Sequence, residues 1–110
     1  RRKLREIQPD IVHGQGTERD CAITAVFSGF PNVLTIHGNM GRIAEQVRAR
    51  VLSYYWLAAR LERFCVRRSR GVVAISNHTR RLVEPAARRC WLVPNAVHPS
   101  FFDIERKPAG

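Results

Sequence analysis

Four short polar clusters stand at the ends of four apolar runs and hold most of the residues that could do chemistry. They are His13-Gly14-Gln15-Gly16, His37-Gly38-Asn39-Met40-Gly41, Ser76-Asn77 and Pro94-Asn95. The runs before them are Ile11-Val12, Asn32-Val33-Leu34-Thr35-Ile36, Val72-Val73-Ala74-Ile75 and Cys90-Trp91-Leu92-Val93. They are β-branched and apolar, and read as buried strands. A histidine followed by Gly38 and Gly41 continues a strand poorly. It suits a place where the backbone turns tightly or lies close to a ligand, with His37 at the mouth of a cleft. Parallel strands would bring all four clusters to one sheet edge, where open α/β sheets bind ligands. Small and hydrogen-bonding side chains there, beside the N-terminal amides of crossover helices, fit a polyhydroxylated or phosphorylated ligand.

Each of these residues also has a plainer role. His13 could serve a strand–helix turn, Gly14 and Gly16 only its bend, and Asn95 an Asx turn after Pro94. Ser76 and Asn77 are common helix caps. Gly14 and Gly16 do not complete a G-x-G-x-x-G fingerprint, and Ser76 lacks the G-x-S-x-G setting of a hydrolase nucleophile. Cys21, Cys65 and Cys90 are odd in number and widely spaced, without C-x-x-C or Cys/His ligand spacing. Neither a zinc site nor a disulfide framework is expected, and reduced thiols fit best.

The elements that position the clusters follow from periodicity. Leu4 and Ile7 suggest the last turns of an amphipathic helix over 1–8, ended by Pro9. Thr17-Glu18-Arg19-Asp20 reads as a helix start with Thr17 as cap, and Ser28-Gly29 as its close. Val47, Val51, Tyr54, Ala58, Leu61 and Cys65 recur at three and four residues, which predicts one long helix from Ile43 to Arg68. Arg48, Arg60, Arg63 and Arg67 would share another of its faces, and Tyr54, Tyr55 and Trp56 would pack. A short helix follows near His78 to Arg88, limited by Pro85. Residues 96–110 read as a tether that packs Phe101 and Phe102. Strands alternating with helices predict an α/β fold, Rossmann-like and three-layered, with a parallel sheet of about four strands.

Composition narrows the partners. Across 110 residues, 45% are hydrophobic, enough for a core and against disorder. No apolar run approaches the ~20 residues of a membrane span, and Arg1-Arg2-Lys3 does not open a signal peptide, so a cytoplasmic protein is expected. The net charge of +10, nearly all from arginine, fits a nucleic acid, an anionic membrane or an anionic small molecule. A basic nucleic-acid-binding or anionic-surface-binding module is therefore the alternative reading. No nucleic-acid-binding signature appears, so no specific nucleic acid is expected.

Taken in order, Pro9-Asp10-Ile11-Val12-His13, Leu34-Thr35-Ile36-His37-Gly38, Val72-Val73-Ala74-Ile75-Ser76 and Val93-Pro94-Asn95-Ala96-Val97 resemble the family 4 (group 1) glycosyltransferases of GT-B fold. The set of four is specific where no single motif is, and it spans about residues 4 to 104. The resemblance implies the later half of the acceptor-side N-terminal domain over 1–98 and the start of an interdomain linker over 99–110. It implies sugar transfer from a nucleotide-sugar donor to a glycan, lipid or small-molecule acceptor, with retention at the anomeric carbon. No cofactor and no metal is expected, the nucleotide-sugar being a co-substrate held mainly by a second domain. His37 would lie beside the donor sugar as the catalytic position, its carbonyl facing the reacting carbon. His13, Gly14, Gly38, Ser76 and Asn95 would bind substrate. Ala96 and His98 replace the family's usual glycine and aspartate in the linker. The family's glycine-rich loop and second domain are expected outside this stretch, so these 110 residues alone are expected to be inactive. An exposed strand edge at 11–12 invites self-association, and basic helix residues a peripheral contact with the inner membrane face.

Overall fold

The computed structural model describes residues 1–18 and 20–105. Strands β1 (Val12–Gln15), β2 (Asn32–Ile36), β3 (Gly71–Ala74) and β4 (Cys90–Leu92) pair in that order, all parallel. Parallel neighbours need crossovers, and each connection carries helix. These are α2 (Cys21–Val26), then α3 (Met40–Gln46) with α4 (Tyr54–Arg68), then α5 (Asn77–Val83). A first helix, α1 (Arg2–Ile7), ends at Gln8 in the left-handed region, just before Pro9. The Rossmann-like α/β class with four parallel strands is therefore what the chain adopts.

The register sorts side chains between the two faces. Gly14, Leu34, Val72 and Cys90 form one row, and Ile36 and Ala74 share that face. Here Leu34 packs with Ala22, Ala25 and Cys65, while Ile36 and Val72 pack with Val66 and Val83. Each large side chain removed from water in this way stabilises the fold by about 1.5–3 kcal/mol. The packed helices α2, α4 and α5 thus sit on one face. The opposite face carries His13, Gln15, Thr35, Val73 and Trp91. Of the three layers expected, two are packed among the described residues.

Several expectations need correction. β1 runs to Gln15, so His13 and Gly14 lie inside the strand and not in the loop after it. The long helix is broken: α3 ends at Gln46, α4 starts at Tyr54, and Arg48 and Leu52 between them have positive φ. Ser53 restarts the helix by accepting from the Trp56 amide. The stripe through Val47, Val51 and Tyr54 is mostly solvent-exposed. The buried stripe of α4 instead runs through Glu62, Cys65 and Val66. Tyr54 and Tyr55 pair edge to face at the surface, and the Arg60 guanidinium lies 5.3 Å from the Trp56 ring centre. Thr17 does not cap α2, whose N-cap is Asp20. Phe101 and Phe102 are 66% and 80% exposed among the described residues, against the expected docking of the tail. The linker expected over 99–110 is described only to residue 105, beginning with a 3-10 turn at Pro99–Phe101, and its remainder lies outside the described residues.

Candidate functional site

The β1 and β2 ends build the site. His13, Gln15, Thr35 and His37 alternate onto the same sheet face and form one hydrogen-bonded chain. His13 Nε2 lies 2.6 Å from the Thr35 hydroxyl. The Gln15 amide nitrogen lies 3.4 Å from the same His13 nitrogen, and the Gln15 carbonyl oxygen lies 2.9 Å from His37 Nε2. A carbonyl oxygen only accepts, so His37 Nε2 carries the proton and Nδ1 is left as an acceptor. His37 is exposed at the carboxyl edge of the sheet, as its position after β2 predicts.

The backbone beside that ring is gripped by acids. The Gly38 amide donates to Glu18 Oε1 at 2.9 Å. The same carboxylate lies close to two glycines. A Cβ on Gly16 would stand 2.5 Å from Glu18 Oε2, and one on Gly38 3.0 Å from Oε1. Gly16 also has φ 89, which side chains rarely adopt. Gly14 is different. It is buried under α2, and a Cβ there would stand 2.7 Å from Leu34 and 3.1 Å from Ala25. Its smallness serves the fit of helix on strand.

Behind the edge lies a buried carboxylate, Glu62, 5% exposed. It accepts from the Thr17 hydroxyl and, with both oxygens at 3.1 Å, from the Met40 amide. Burial pushes its pKa above the usual carboxylate range, although the Thr17, Met40 and Gly41 hydrogen bonds pull it down; Glu18 adds a small upward push. Asn39 caps α3 by accepting from the Arg42 amide at 2.8 Å. A recess of about 340 Å³ opens beside Thr17 and Glu18, walled by Ile23, Tyr54, Leu57 and Leu61.

The other expected site residues are not drawn into this network. Ser76 caps α5, accepting from the Thr79 amide at 3.1 Å, which is the plainer of its two roles. Asn95 is exposed beyond β4 at the same carboxyl edge. Thr35, Glu18 and Glu62 join the site without having been singled out, and Gln15, named only within its cluster, gains a definite partner in His37. Glu62 did leave a signal: it is an acid one turn before Cys65 and Val66 on the apolar side of a helix. Gln15 and Thr35 become visible only once β1 and β2 are in register.

Among known families, the one described as Glycosyltransferase Family 4 matches residues 1–101. No curated protein and no solved structure matches the chain.

Proposed function

Because the chain belongs to glycosyltransferase family 4, a family of sugar transferases, we propose that the His37 edge holds the donor sugar of a retaining transferase that uses a nucleotide-sugar. One observation carries this reading: an exposed histidine, its ring fixed by Gln15 and its neighbouring amide by Glu18, stands free at the ligand-binding edge of a parallel sheet. His37 Nδ1 is free to accept from a sugar hydroxyl. The His37 carbonyl faces the anomeric carbon, where positive charge develops as the bond to the nucleotide phosphate breaks and the acceptor oxygen attacks. His13 acts through the Thr35–His13–Gln15 chain that aims the His37 ring. Gly38 leaves the approach open, and Ser76 and Asn95 extend the edge toward substrate. Gly14 contributes by seating α2 against β1. These residues form one wall of the site, so the chain alone transfers no sugar.

The acceptor is a glycan, lipid or small molecule. A peripheral contact with an anionic membrane belongs to the same reading. It is supported by exposed Val51, Leu52 and Tyr54 beside Arg48 and Arg50 in a stretch without acids. So does pairing through the free edge of β1, which ends the strand order.

The test is amide-resolved NMR of the chain titrated with uridine diphosphate glucose, guanosine diphosphate mannose and the free hexoses. Perturbations gathered at residues 13–18 and 37–40, and absent in His37→Ala, are expected. Salt-sensitive binding of generic oligonucleotides, with no sugar effect at those residues, would overturn the reading in favour of a basic module.

A further inference from the structure

Helix α4 covers the sheet with small and apolar residues, yet puts a carboxylate into that layer. Taking a carboxylate out of water is costly, and a leucine or methionine of similar size would pack there without the cost. What Glu62 touches explains its presence. Thr17 lies just past β1, in the β1–α2 loop, and Met40 opens α3 three residues beyond His37. Glu62 accepts from both, so a third element ties the two loops together from beneath. The Thr17 hydroxyl also lies 3.4 Å from the Gly38 carbonyl oxygen. From the solvent side Glu18 holds the Gly38 amide. The backbone from His37 to Met40 is therefore clasped on both sides, and the buried half of the clasp is Glu62.

We infer that Glu62 is a positioning residue: it locks the β1–α2 loop to the β2–α3 turn and so fixes the His37–Gly38 backbone against the donor sugar. The inference rests on the sugar-site reading above for its last clause only. Glu62 itself touches no substrate. Removing its charge leaves the buried Thr17 hydroxyl and Met40 amide short of a strong acceptor, and the two loops separate in motion.

Two variants approach the clasp from opposite ends. Glu62→Gln keeps the shape and removes the charge, and Thr17→Val keeps the shape and removes the hydroxyl donor. Amide hydrogen exchange in the full chain is read at Met40 and Gly38 against Leu34 and Val72 in the core strands. Uridine diphosphate glucose and guanosine diphosphate mannose serve as binding probes. In Glu62→Gln, exchange at Met40 rises about tenfold or more while the strand amides change little. Thr17→Val loosens Gly38 in the same sense. The probe that binds the wild type binds both variants about five- to tenfold more weakly, an effect a purely structural role does not produce with the core intact. Equal acceleration of loop and strand amides, or no change at Met40, overturns the clasp. Loosened loops with unchanged probe affinity overturn the positioning role. If the wild type binds neither probe, the sugar-site reading fails first, and the exchange pattern still decides whether Glu62 joins the loops.

Discussion

Gly14→Ala separates two explanations of a glycine at the ligand edge. A glycine kept for close approach of a ligand would tolerate a methyl in the empty protein. A glycine kept for packing would not. Three neighbours crowd the new Cβ: Leu34 Cδ2 at 2.7 Å, Ala25 Cβ at 3.1 Å and the Cys21 carbonyl oxygen at 3.2 Å. Leu34 is fully buried, and Ala25 and Cys21 belong to α2, so the leucine must turn and the helix give by a few tenths of an ångström. Overpacking of this kind costs about 1–3 kcal/mol. Replacing glycine within a strand returns about 0.5–1 kcal/mol through the unfolded chain. The net expectation is a loss of about 1 kcal/mol, near the middle of that difference. Urea unfolding followed by circular dichroism reads it as a midpoint lowered by about 0.5 M at an m-value of about 2 kcal/mol/M. Leu34→Val alone also destabilises, because it trims a buried side chain. Combined with Gly14→Ala, the two losses are less than additive by about 1 kcal/mol, since the added methyl occupies the space the leucine vacates. A neutral or stabilising Gly14→Ala, or strict additivity with Leu34→Val, refutes the packing argument.

The raised pKa of Glu62 gives stability a pH dependence of definite sign. The folded state holds this proton more tightly than the unfolded chain, so its contribution is full below the ordinary 4.5 and is lost as pH rises through the shifted value. Urea midpoints of wild type minus Glu62→Gln should therefore fall across that window, and a flat difference refutes the burial of Glu62. Gly71→Ala places a methyl into the Trp91 indole, which covers Gly71 on the sheet face away from the packed helices. The ring is 44% exposed and swings outward, so the expected change is a red-shifted, more quenchable Trp91 emission in a Trp56→Phe background. Unchanged emission refutes that contact.

The sheet was legible because its signals are local. β2 is a run of apolar and β-branched residues bounded by Pro31 and His37-Gly38, and the observed Asn32–Ile36 has the expected limits. The break between α3 and α4 was not legible, because Val47, Val51 and Tyr54 keep helical spacing while standing in solvent. Periodicity tests whether residues could share a face and is blind to whether that face meets anything. His37 at the edge followed from strand and glycine alone. Its partners did not, since Gln15 reaches it only through a parallel register that brings Gln15 beside Thr35. Gly14 and Gly16 looked alike in sequence and do different work, one admitting α2 and the other taking a φ of 89 that side chains rarely adopt. That difference lies in where each stands: Gly14 is inside β1 under α2, and Gly16 lies just past the strand's end.

The placement of charge at the edge argues for what it holds. The chain carries a net +10, yet the ionisable side chains that bond the backbone between Gly38 and Met40 are acids, Glu18 and Glu62. Among the described residues no salt bridge joins either of them to a cation, and Arg42 and Arg80 pair with Glu45 and Glu84 on helix surfaces. Arg60 lies over Trp56. A diphosphate beside Glu18 would meet like charge at short range, which in a partly desolvated site is strongly unfavourable. A neutral polyol meets carboxylate oxygens, a free imidazole nitrogen and a glycine-lined approach, all acceptors or open space suited to hydroxyl donors. The β1–β2 edge therefore suits hydroxyl donors better than anions. That is the physical reason the proposed His37 site is expected to favour a neutral hexose over a phosphate.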